Sequence, residues 1–302
     1  MSEDLLLAPE VEKALREGRG VVALETTLVT HGFPAPLGLE VAAALEREVR
    51  AGGATPATIA VLDARLRVGL DAGALERLAR GAEKVSLSNL AAVLASGRPG
   101  STTVAATAFA AHRARIRVFA TGGIGGVHHG AAETGDVSTD LAALARFPVA
   151  VVCAGAKAIL DLPKTVEALE SLGVPVYGYR TDRFPAFYRR DSGLGVDQRF
   201  DSIDELAAAV GAHIRLGVGS GLIVANPIPE EHELPRELLE SALGEVLAGE
   251  KTARGRDVTP RLLERLSERT GGRSVEANRA LLLSNARLAA ALARALGGPA
   301  RG

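Results

Sequence analysis

The sequence predicts a single α/β domain: a mostly parallel central sheet flanked by helices, with a β-hairpin insertion and a helical C-terminal region. Short β-branched apolar runs alternate with helical segments, which is typical of crossover units around a parallel sheet. The chain has 302 residues, 47% of them hydrophobic, enough to bury one large core. No internal repeat and no linker rich in Pro, Ser or charge divides it, so one domain is expected over 1–302.

The first predicted elements are a strand, a helix and the hairpin. Residues 20–28 form an apolar run typical of a buried strand. Apolar residues then recur four apart over 37–51 and stop at Gly52-Gly53, which predicts a helix packed on a sheet. Residues 58–70 contain two short strand patterns that turn at Asp63-Ala64. This hairpin is the expected departure from a purely parallel sheet.

Beyond the hairpin the alternation of helices and strands resumes. Helices are predicted over 87–97, 102–113, 138–146, 156–172 and 202–216. Strands are predicted over 116–121, 149–154, 174–180 and 221–226. The C-terminal region is predicted to be helical over 235–250, 259–270 and 274–296. The last of these helices is rich in Ala, Leu and Arg, with the period of a helix packed on the body or on another subunit.

Composition excludes several classes of protein. Lys and Arg total 35 and Asp and Glu 36, so the net charge of −1 provides no field to attract nucleic acid or an anionic membrane. The single cysteine, Cys153, excludes an intrachain disulfide and a structural zinc site, and its apolar surroundings fit a reducing cytoplasm. The start Met1–Asp4 is acidic, and no apolar run reaches the roughly 18 residues of a membrane span, so a soluble cytoplasmic protein is expected.

Two residues that follow or interrupt apolar strands are candidates for catalysis. Lys157 follows a run expected to be buried, where desolvation favours the neutral, nucleophilic amine that forms a Schiff base with a sugar aldehyde. Alternatively it reaches solvent or pairs with Asp161. Glu25 is a carboxylate in a strand of Val, Ala and Leu, and burial would raise its pKa and suit it to proton transfer. Alternatively, it pairs with an arginine at the end of the strand.

A glycine-rich stretch, Gly122–Gly130, offers backbone N–H groups that could surround an anion, although a tight turn explains the same pattern. It lacks the ending of a nucleotide-binding P-loop and the glycine spacing of a dinucleotide fold. Within it, His128 and His129 are either metal ligands or include a solvent-facing histidine. Asn226, in a rigid proline-rich turn, either binds a ligand or caps the turn.

Two aspartates lie four residues apart, Asp136 and Asp140. A helix beginning here would place both carboxylates on one face, an arrangement suited to Mg²⁺ or Mn²⁺ with most of its waters retained. The alternative is that Asp136 caps the helix and Asp140 is a first-turn charge that interacts with the helix dipole. The residues by themselves favour the second interpretation.

As a set, these motifs resemble the pseudouridine-5′-phosphate glycosidase family, in the same order and over nearly the whole chain. The matching segments are Ala23–Thr27, Thr55–Ala60, Thr102–Thr107, Phe119–His128, Val152–Lys157 and Ala225–Glu230, together with Thr270-Gly271-Gly272 and Asn285. Departures are small: Thr26 replaces a commoner serine, Thr139 a commoner alanine and His129 a common arginine.

The resemblance implies reversible cleavage of the C–C glycosidic bond of pseudouridine 5′-phosphate to uracil and ribose 5-phosphate. It implies that Lys157 bonds to C1′ of the sugar and that Glu25 transfers the proton. It further implies that Asp136 is a ligand of Mn²⁺ and that the protein forms a homotrimer. The implied substrate contacts are Lys84, Val104, Ser138, Thr139 and Asp140, with His128 lining the site.

Two other functions use some of the same residues. A Schiff-base aldolase or lyase acting on another phosphosugar would use the lysine and the anion cradle but would not bind uracil. A non-enzymatic phosphosugar-sensing module would use Lys157 only as a charge and would form no covalent adduct with a sugar.

Overall fold

The computed structural model describes residues 4–248 and 258–297. The acidic start over 1–3, the last two residues of the helix predicted over 235–250, and the termini of the domain predicted over 1–302 lie outside these ranges. Within them, no helix combines the length and the apolar character needed to cross a membrane.

The sheet confirms the predicted α/β class. Over the described ranges it has 11 strands, of which the main path runs in the order β1-β4-β3-β2-β7-β8-β11-β9-β10, and β6 joins β5 to β3. Pairing is parallel except where β3 meets β4 and β6. The strands are β1 Leu5–Leu7, β2 Val21–Leu24, β3 Thr55–Leu62, β4 Arg65–Val68, β5 Glu83–Val85, β6 Gly100–Thr102, β7 Val118–Ala120, β8 Ala150–Cys153, β9 Val176–Tyr179, β10 Gln198–Phe200 and β11 Leu222–Ala225.

Helices cover both faces of the sheet. They are α1 Pro9–Arg16, α2 Leu37–Ala51, α3 Ala72–Ala79, α4 Leu90–Ser96, α5 Val104–Arg113, α6 Ala131–Thr134, α7 Thr139–Leu144, α8 Leu162–Ser171, α9 Ile203–Leu216, α10 Arg236–Ala248, α11 Val258–Arg269 and α12 Arg273–Leu296. A short π-helical turn spans Leu28–Gly32, and a 3₁₀ turn spans Glu230–His232.

Two hydrophobic cores lie on opposite faces of the sheet because successive side chains of a strand point in opposite directions. In β2, Val22 and Leu24 enter the core beneath α2 and α12, whereas Val21 and Ala23 enter the core beneath α5. Both faces of this strand are therefore buried. Its sequence is correspondingly a continuous apolar run rather than an alternating one.

The predicted hairpin is confirmed. Strands β3 and β4 pair antiparallel, with Leu62 opposite Arg65. Both turn residues have positive φ, 54° at Asp63 and 56° at Ala64, as a tight two-residue hairpin turn requires.

Helix α12 packs on the body of the domain, which was one of the two positions expected for it. Its small residues allow close contact with the sheet and its loops. A methyl group on Gly20 would lie 2.6 Å from the Ala293 carbonyl carbon, and one on Gly52 would lie 2.5 Å from the Ala290 Cβ. This close packing brings the middle of α12 to the ends of β2, β7 and β8.

The helix predicted over 156–172 begins later than expected, and the prediction is corrected here. Helix α8 starts at Leu162, because the Asp161 side chain caps it by accepting from the Lys164 N–H and Pro163 fits only its first turn. Lys157 therefore lies in a loop between β8 and α8.

Several short elements were not predicted from the sequence. Strands β1, β5, β6 and β10 are three residues each, too short for a recognisable periodicity. Helices α1, α3 and α6 were also missed.

Candidate active site

A cavity of about 280 Å³ opens at the carboxyl ends of β2, β7 and β8. Ligands of parallel α/β sheets bind at this edge because loops from neighbouring strands converge there. All the site residues that the family resemblance implies line the cavity: Glu25, Lys84, Val104, His128, Asp136, Ser138, Thr139, Asp140 and Lys157.

Glu25 lies directly after β2 and is only 8% exposed. Two hydroxyl groups donate hydrogen bonds to its carboxylate, Thr121 to Oε1 and Thr27 to Oε2. Within the described part of the chain no arginine pairs with it, so the predicted alternative, an ion pair at the strand end, is not what the structure contains.

Burial raises the pKa of the Glu25 carboxyl above its ordinary value. The positive charge of Lys157 and the two hydroxyl groups act in the opposite direction, but desolvation is the largest effect. A carboxyl in this environment holds a proton to higher pH than an exposed glutamate and is suited to act as a general acid.

Lys157 reaches the cavity from the loop after β8. Two backbone hydrogen bonds join this loop to the glycine-rich loop after β7: Ile124 N–H donates to the Gly155 carbonyl and Lys157 N–H donates to the Ile124 carbonyl, each at 3.0 Å. Gly155 has a φ of +79°, and a Cβ there would lie 2.0 Å from the Pro185 carbonyl oxygen. The alternative pairing with Asp161 does not occur, because Lys164 occupies that carboxylate at 2.8 Å.

Polar groups and a helix start form one end of the cavity. Lys84 lies on β5, and the Ser86 and Thr139 hydroxyls are 2.6 Å apart. Thr103 caps α5, and Val104 is its first residue. The first N–H groups of a helix and its dipole attract anions, so this end of the cavity suits a phosphate group.

Asp140 is a buried residue that joins two walls of the cavity. Its carboxylate, 5% exposed, accepts the Gly125 N–H at 2.8 Å and the Ala105 N–H at 3.0 Å. It thereby connects the glycine-rich loop to the first turn of α5. With both oxygens engaged by the backbone, Asp140 acts mainly as a structural link between two walls of the cavity.

The favoured interpretation, in which Asp136 caps the helix, is wrong, and the two aspartates do not share one face of a helix either. Helix α7 begins at Thr139 with Ser138 as its N-cap, so Asp136 precedes the helix and does not cap it. Asp140, in contrast, is a first-turn residue as expected. The Asp136 side chain lines the cavity near His128, whose backbone N–H donates to the Asp136 carbonyl at 3.1 Å.

The two histidines of the glycine-rich loop differ. His128 lines the cavity and is half-buried, and desolvation lowers its pKa, with a smaller opposing effect from Asp136. Its imidazole is therefore largely neutral at neutral pH. His129 is exposed and does not line the cavity. Among the described residues, no group of three or more His, Cys, Asp and Glu side chains is arranged to hold a metal.

The other end of the cavity is less polar. Phe187 lies against Gly123, where a methyl group would lie 2.6 Å from its ring. Leu282 and Asn278 reach this end from α12. The cavity thus has one end that suits an anion, called the anion-binding end, a second and less polar end, and Glu25 and Lys157 among its lining residues.

Comparison with known proteins gives a consistent answer. Residues 10–295 match the family model described as indigoidine synthase A like protein. The chain is 54% identical to a pseudouridine-5′-phosphate glycosidase of Methylobacterium nodulans, over 96% of this chain and 88% of the relative. It is 53% identical to that of Paracoccus denitrificans, over 97% and 98%. The chain belongs to the pseudouridine-5′-phosphate glycosidase family.

Solved structures similar to this glycosidase-family chain share its fold. The prealnumycin C-glycosynthase AlnA, in complex with ribulose 5-phosphate, is 40% identical with a TM-score of 0.91 and coverage of 98% of both chains. An indigoidine synthase A-like protein from Thermotoga maritima is 36% identical with a TM-score of 0.89 and coverage of 97% of both chains.

Sequence analysis did not predict several residues of the site. Thr121 and Thr27 bind the Glu25 carboxylate, and Ser86, Phe187 and Asn278 line the cavity. Thr27 and Thr121 lie in two of the segments that carry the family resemblance, Ala23–Thr27 and Phe119–His128, so their position was a usable signal. Ser86, Phe187 and Asn278 carried none, since they come from elements that only tertiary packing brings to the cavity.

Cys153 and Asn226 have structural environments rather than positions in the cavity. Burial raises the pKa of the Cys153 thiol to about 12, so it is not a nucleophile. The Asn226 amide donates to Ser284 Oγ at 3.1 Å and to Asn285 Oδ1 at 2.9 Å, and Asn226 does not line the cavity.

Proposed function

We propose that this chain cleaves the C–C glycosidic bond of pseudouridine 5′-phosphate reversibly, giving uracil and ribose 5-phosphate. The observation that carries the proposal is the pair formed by Lys157 and Glu25. They line one cavity and interact electrostatically, yet no direct ion pair joins them. An amine and a carboxyl held apart in this way can act on opposite sides of the same bond.

The residue types fit the bond that is broken. An ordinary glycosidase protonates a leaving oxygen with one of two carboxyl groups, whereas here the leaving atom is C5 of uracil. Carbon needs a stronger electron supply. The neutral Lys157 amine attacks C1′ and the C1′–O4′ bond of the ribose opens. The amine nitrogen stays on C1′, and one of its protons passes to O4′, which becomes a hydroxyl group.

Cleavage then follows from this adduct. The nitrogen lone pair forms the C1′=N bond while the electrons of the C1′–C5 bond go to the uracil carbon, which takes the proton from Glu25. Water hydrolyses the protonated imine and releases ribose 5-phosphate. The amine is regenerated, and the proton released in this step returns to Glu25. The reverse sequence forms the C-glycoside.

The phosphate is placed at the anion-binding end of the cavity. Lys84 provides a positive charge, and Val104 N–H, Ser138 and Thr139 provide hydrogen-bond donors near two helix starts. Such contacts lie away from the reacting carbon, so their binding energy orients the sugar without taking part in the reaction.

A divalent cation fits beside this end. Asp136 offers one carboxylate to the cavity, a donor that suits Mn²⁺ or Mg²⁺ with most of its water ligands kept, and the neutral His128 imidazole lies nearby. Asp136 would hold the ion. When bound, the ion would supply positive charge to neutralise phosphate or sugar oxygens.

The proposal extends to assembly and location, for which the support is the family resemblance and the composition. We expect a homotrimer in the cytoplasm, with no nucleic-acid or membrane partner. Light scattering of the purified protein measures the subunit number directly, and a dimer or monomer would contradict the trimer.

Incubation with pseudouridine 5′-phosphate and Mn²⁺ tests the function, with chromatographic detection of uracil. We expect equal amounts of uracil and ribose 5-phosphate from the wild type and none from Lys157→Ala. Sugar turnover without use of the uracil C-glycoside would instead favour the aldolase or lyase. Tight binding of ribose 5-phosphate with no adduct and no product would favour the sensing module.

A further inference from the structure

Two buried asparagines connect α12 to the catalytic edge of the sheet. Asn285, in the middle of α12, is fully buried. Its Nδ2 donates to the Thr121 carbonyl at 2.8 Å, and its Oδ1 accepts from Asn226 Nδ2 at 2.9 Å. The helix is thereby joined to the loops that follow β7 and β11.

The orientation of the Asn285 amide is fixed by these partners. A carbonyl oxygen can only accept, so the Thr121 carbonyl requires the NH₂ group. Asn226 Nδ2 can only donate, so it requires the Asn285 oxygen. The second hydrogen-bonding contact of the NH₂ group, to the Gly122 carbonyl at 3.4 Å, agrees with the same orientation.

Thr121 contacts both Asn285 and Glu25. Its N–H donates to the Val152 carbonyl at 3.0 Å and its carbonyl accepts from Asn285, so its peptide groups are held from β8 and from α12. Its hydroxyl then points to Glu25 Oε1. A hydroxyl donates to an ionised carboxylate and can accept from a protonated one, so it stays bonded while the proton leaves and returns.

We propose that Asn285 is a positioning residue for proton transfer: by fixing the Thr121 backbone it sets the direction of the Thr121 hydroxyl and, through it, of the Glu25 carboxyl. The inference rests on the proposed role of Glu25 as the proton donor to the uracil carbon. Asn285 itself does not line the cavity. Its effect is therefore on the rate of the proton-transfer step rather than on substrate binding.

The substitution Asn285→Asp separates the two hydrogen bonds of this residue. The aspartate keeps an oxygen for Asn226, but when ionised it cannot donate to Thr121 and repels that carbonyl. When protonated, it donates again. At neutral pH we expect kcat to fall about 10–100-fold, since small misplacements of catalytic groups cost that much, with little change in KM. As the pH is lowered, the ratio of wild-type kcat to variant kcat should decrease.

Ser284→Ala is the matched control. This neighbour on the same helix accepts a hydrogen bond from Asn226 at 3.1 Å and, within the described residues, makes no hydrogen bond with Thr121 or Glu25. We expect its kcat and pH profile to match the wild type. Assays run well below the melting temperature of each variant, with the folded fraction measured by circular dichroism.

A merely structural asparagine would give a different result. In that case Asn285→Asp would lower the melting temperature while kcat per folded molecule and its pH profile stayed at wild-type values, which would overturn the proposal. An equal loss of kcat in Ser284→Ala would also overturn the proposal, because Ser284 is not hydrogen-bonded to Thr121 and the loss would have another cause.

An infrared measurement separates this inference from the proposed function. In protein labelled with ¹³C-carboxyl glutamate, the wild-type spectrum minus that of Glu25→Gln isolates the Glu25 carboxyl band. We expect Asn285→Asp to shift or broaden this band, even if the wild type releases no uracil. A band unchanged from wild type would overturn the positioning role, and absence of uracil with a shifted band would overturn only the function.

Discussion

The Lys157 amine and the Glu25 carboxyl interact electrostatically across the cavity without a direct ion pair. The carboxyl instead accepts from the Thr121 and Thr27 hydroxyls. A direct ion pair would keep the amine charged and the glutamate ionised, which would suppress both the nucleophile and the acid. In the proposed reaction, the sugar carbon C1′ would lie between these two groups.

Reductive trapping tests the nucleophile. We expect borohydride with ribose 5-phosphate to add one sugar to the wild type, at Lys157, because the amine forms an imine with the sugar aldehyde. Lys84→Ala should still form the adduct, though at a higher sugar concentration, since it removes only the proposed phosphate contact. Peptide mass spectrometry locates the adduct, and modification of Lys84 in the wild type would contradict the assignment.

Glu25→Gln tests proton transfer. The amide keeps the shape and hydrogen-bonding reach of the side chain but carries no transferable proton, so turnover should fall about 10²–10⁴-fold. Substrate affinity should remain, and a ring-opened adduct on Lys157 should accumulate, visible as an increase in intact mass.

Glu46→Gln is the matched control for this loss. Glu46 is also a carboxyl with a pKa raised by burial and a threonine partner, Thr58, but it lies outside the cavity. Its turnover should equal that of the wild type. Near wild-type turnover in Glu25→Gln would show that Glu25 is a structural partner of the two threonines.

The raised pKa of Glu25 also predicts how stability depends on pH. The folded state holds the proton to higher pH than the unfolded state, whose pKa is near 4.5. The stability contribution of the protonated carboxyl is therefore complete below pH 4.5 and is lost as the pH rises through the folded pKa. Chemical denaturation at several pH values should show Glu25→Gln gaining stability relative to the wild type across this window. A pH-independent difference would contradict the raised pKa.

Asp136 is predicted to bind the divalent cation. Asp136→Ala should bind Mn²⁺ more weakly in electron paramagnetic resonance titrations and lose activity that excess Mn²⁺ only partly restores, because one carboxylate on a hydrated ion contributes modest affinity. Glu133→Ala removes a nearby exposed carboxylate outside the cavity and should do neither. Full wild-type activity after dialysis against EDTA would contradict a metal requirement.

The sequence predicted the members of the site better than the contacts among them. Glu25 and Lys157 follow separate apolar strands, and parallel strands deliver their carboxyl ends to one edge, so their convergence was predictable. The link from Glu25 to Thr121 spans 96 residues and that from Asn285 to Thr121 spans 164. No local pattern encodes such pairs. The first arises because Leu24 of β2 pairs with Ala120 of β7, and the second from the packing of α12 across the sheet.

The loop that carries Lys157 shows a second limit of prediction from sequence periodicity. Its apolar residues Ala158, Ile159 and Leu160 continue into α8 with a helical spacing, and periodicity alone placed them in one helix. Tertiary contacts override that preference: Lys157 N–H bonds to Ile124 of the neighbouring loop instead of to a preceding turn. The capping signal of Asp161 was present in the sequence and marks the true start of the helix.

Asp140 is expected to matter for stability as well as for activity. Asp140→Ala leaves the Gly125 and Ala105 N–H groups without their acceptor in a buried site, at about 1–3 kcal/mol for each. We therefore expect the free energy of unfolding to fall by about 2–6 kcal/mol, with loss of turnover because both walls of the anion-binding end are released. Asp71→Ala is the control: this aspartate caps α3 by accepting the Ala74 N–H at 2.8 Å, away from the cavity. It should cost about 0.5–2 kcal/mol and leave kcat unchanged. Urea denaturation and turnover on the same preparations compare the two, and equal losses of stability with intact turnover in both would show that Asp140 does not hold the cavity walls together.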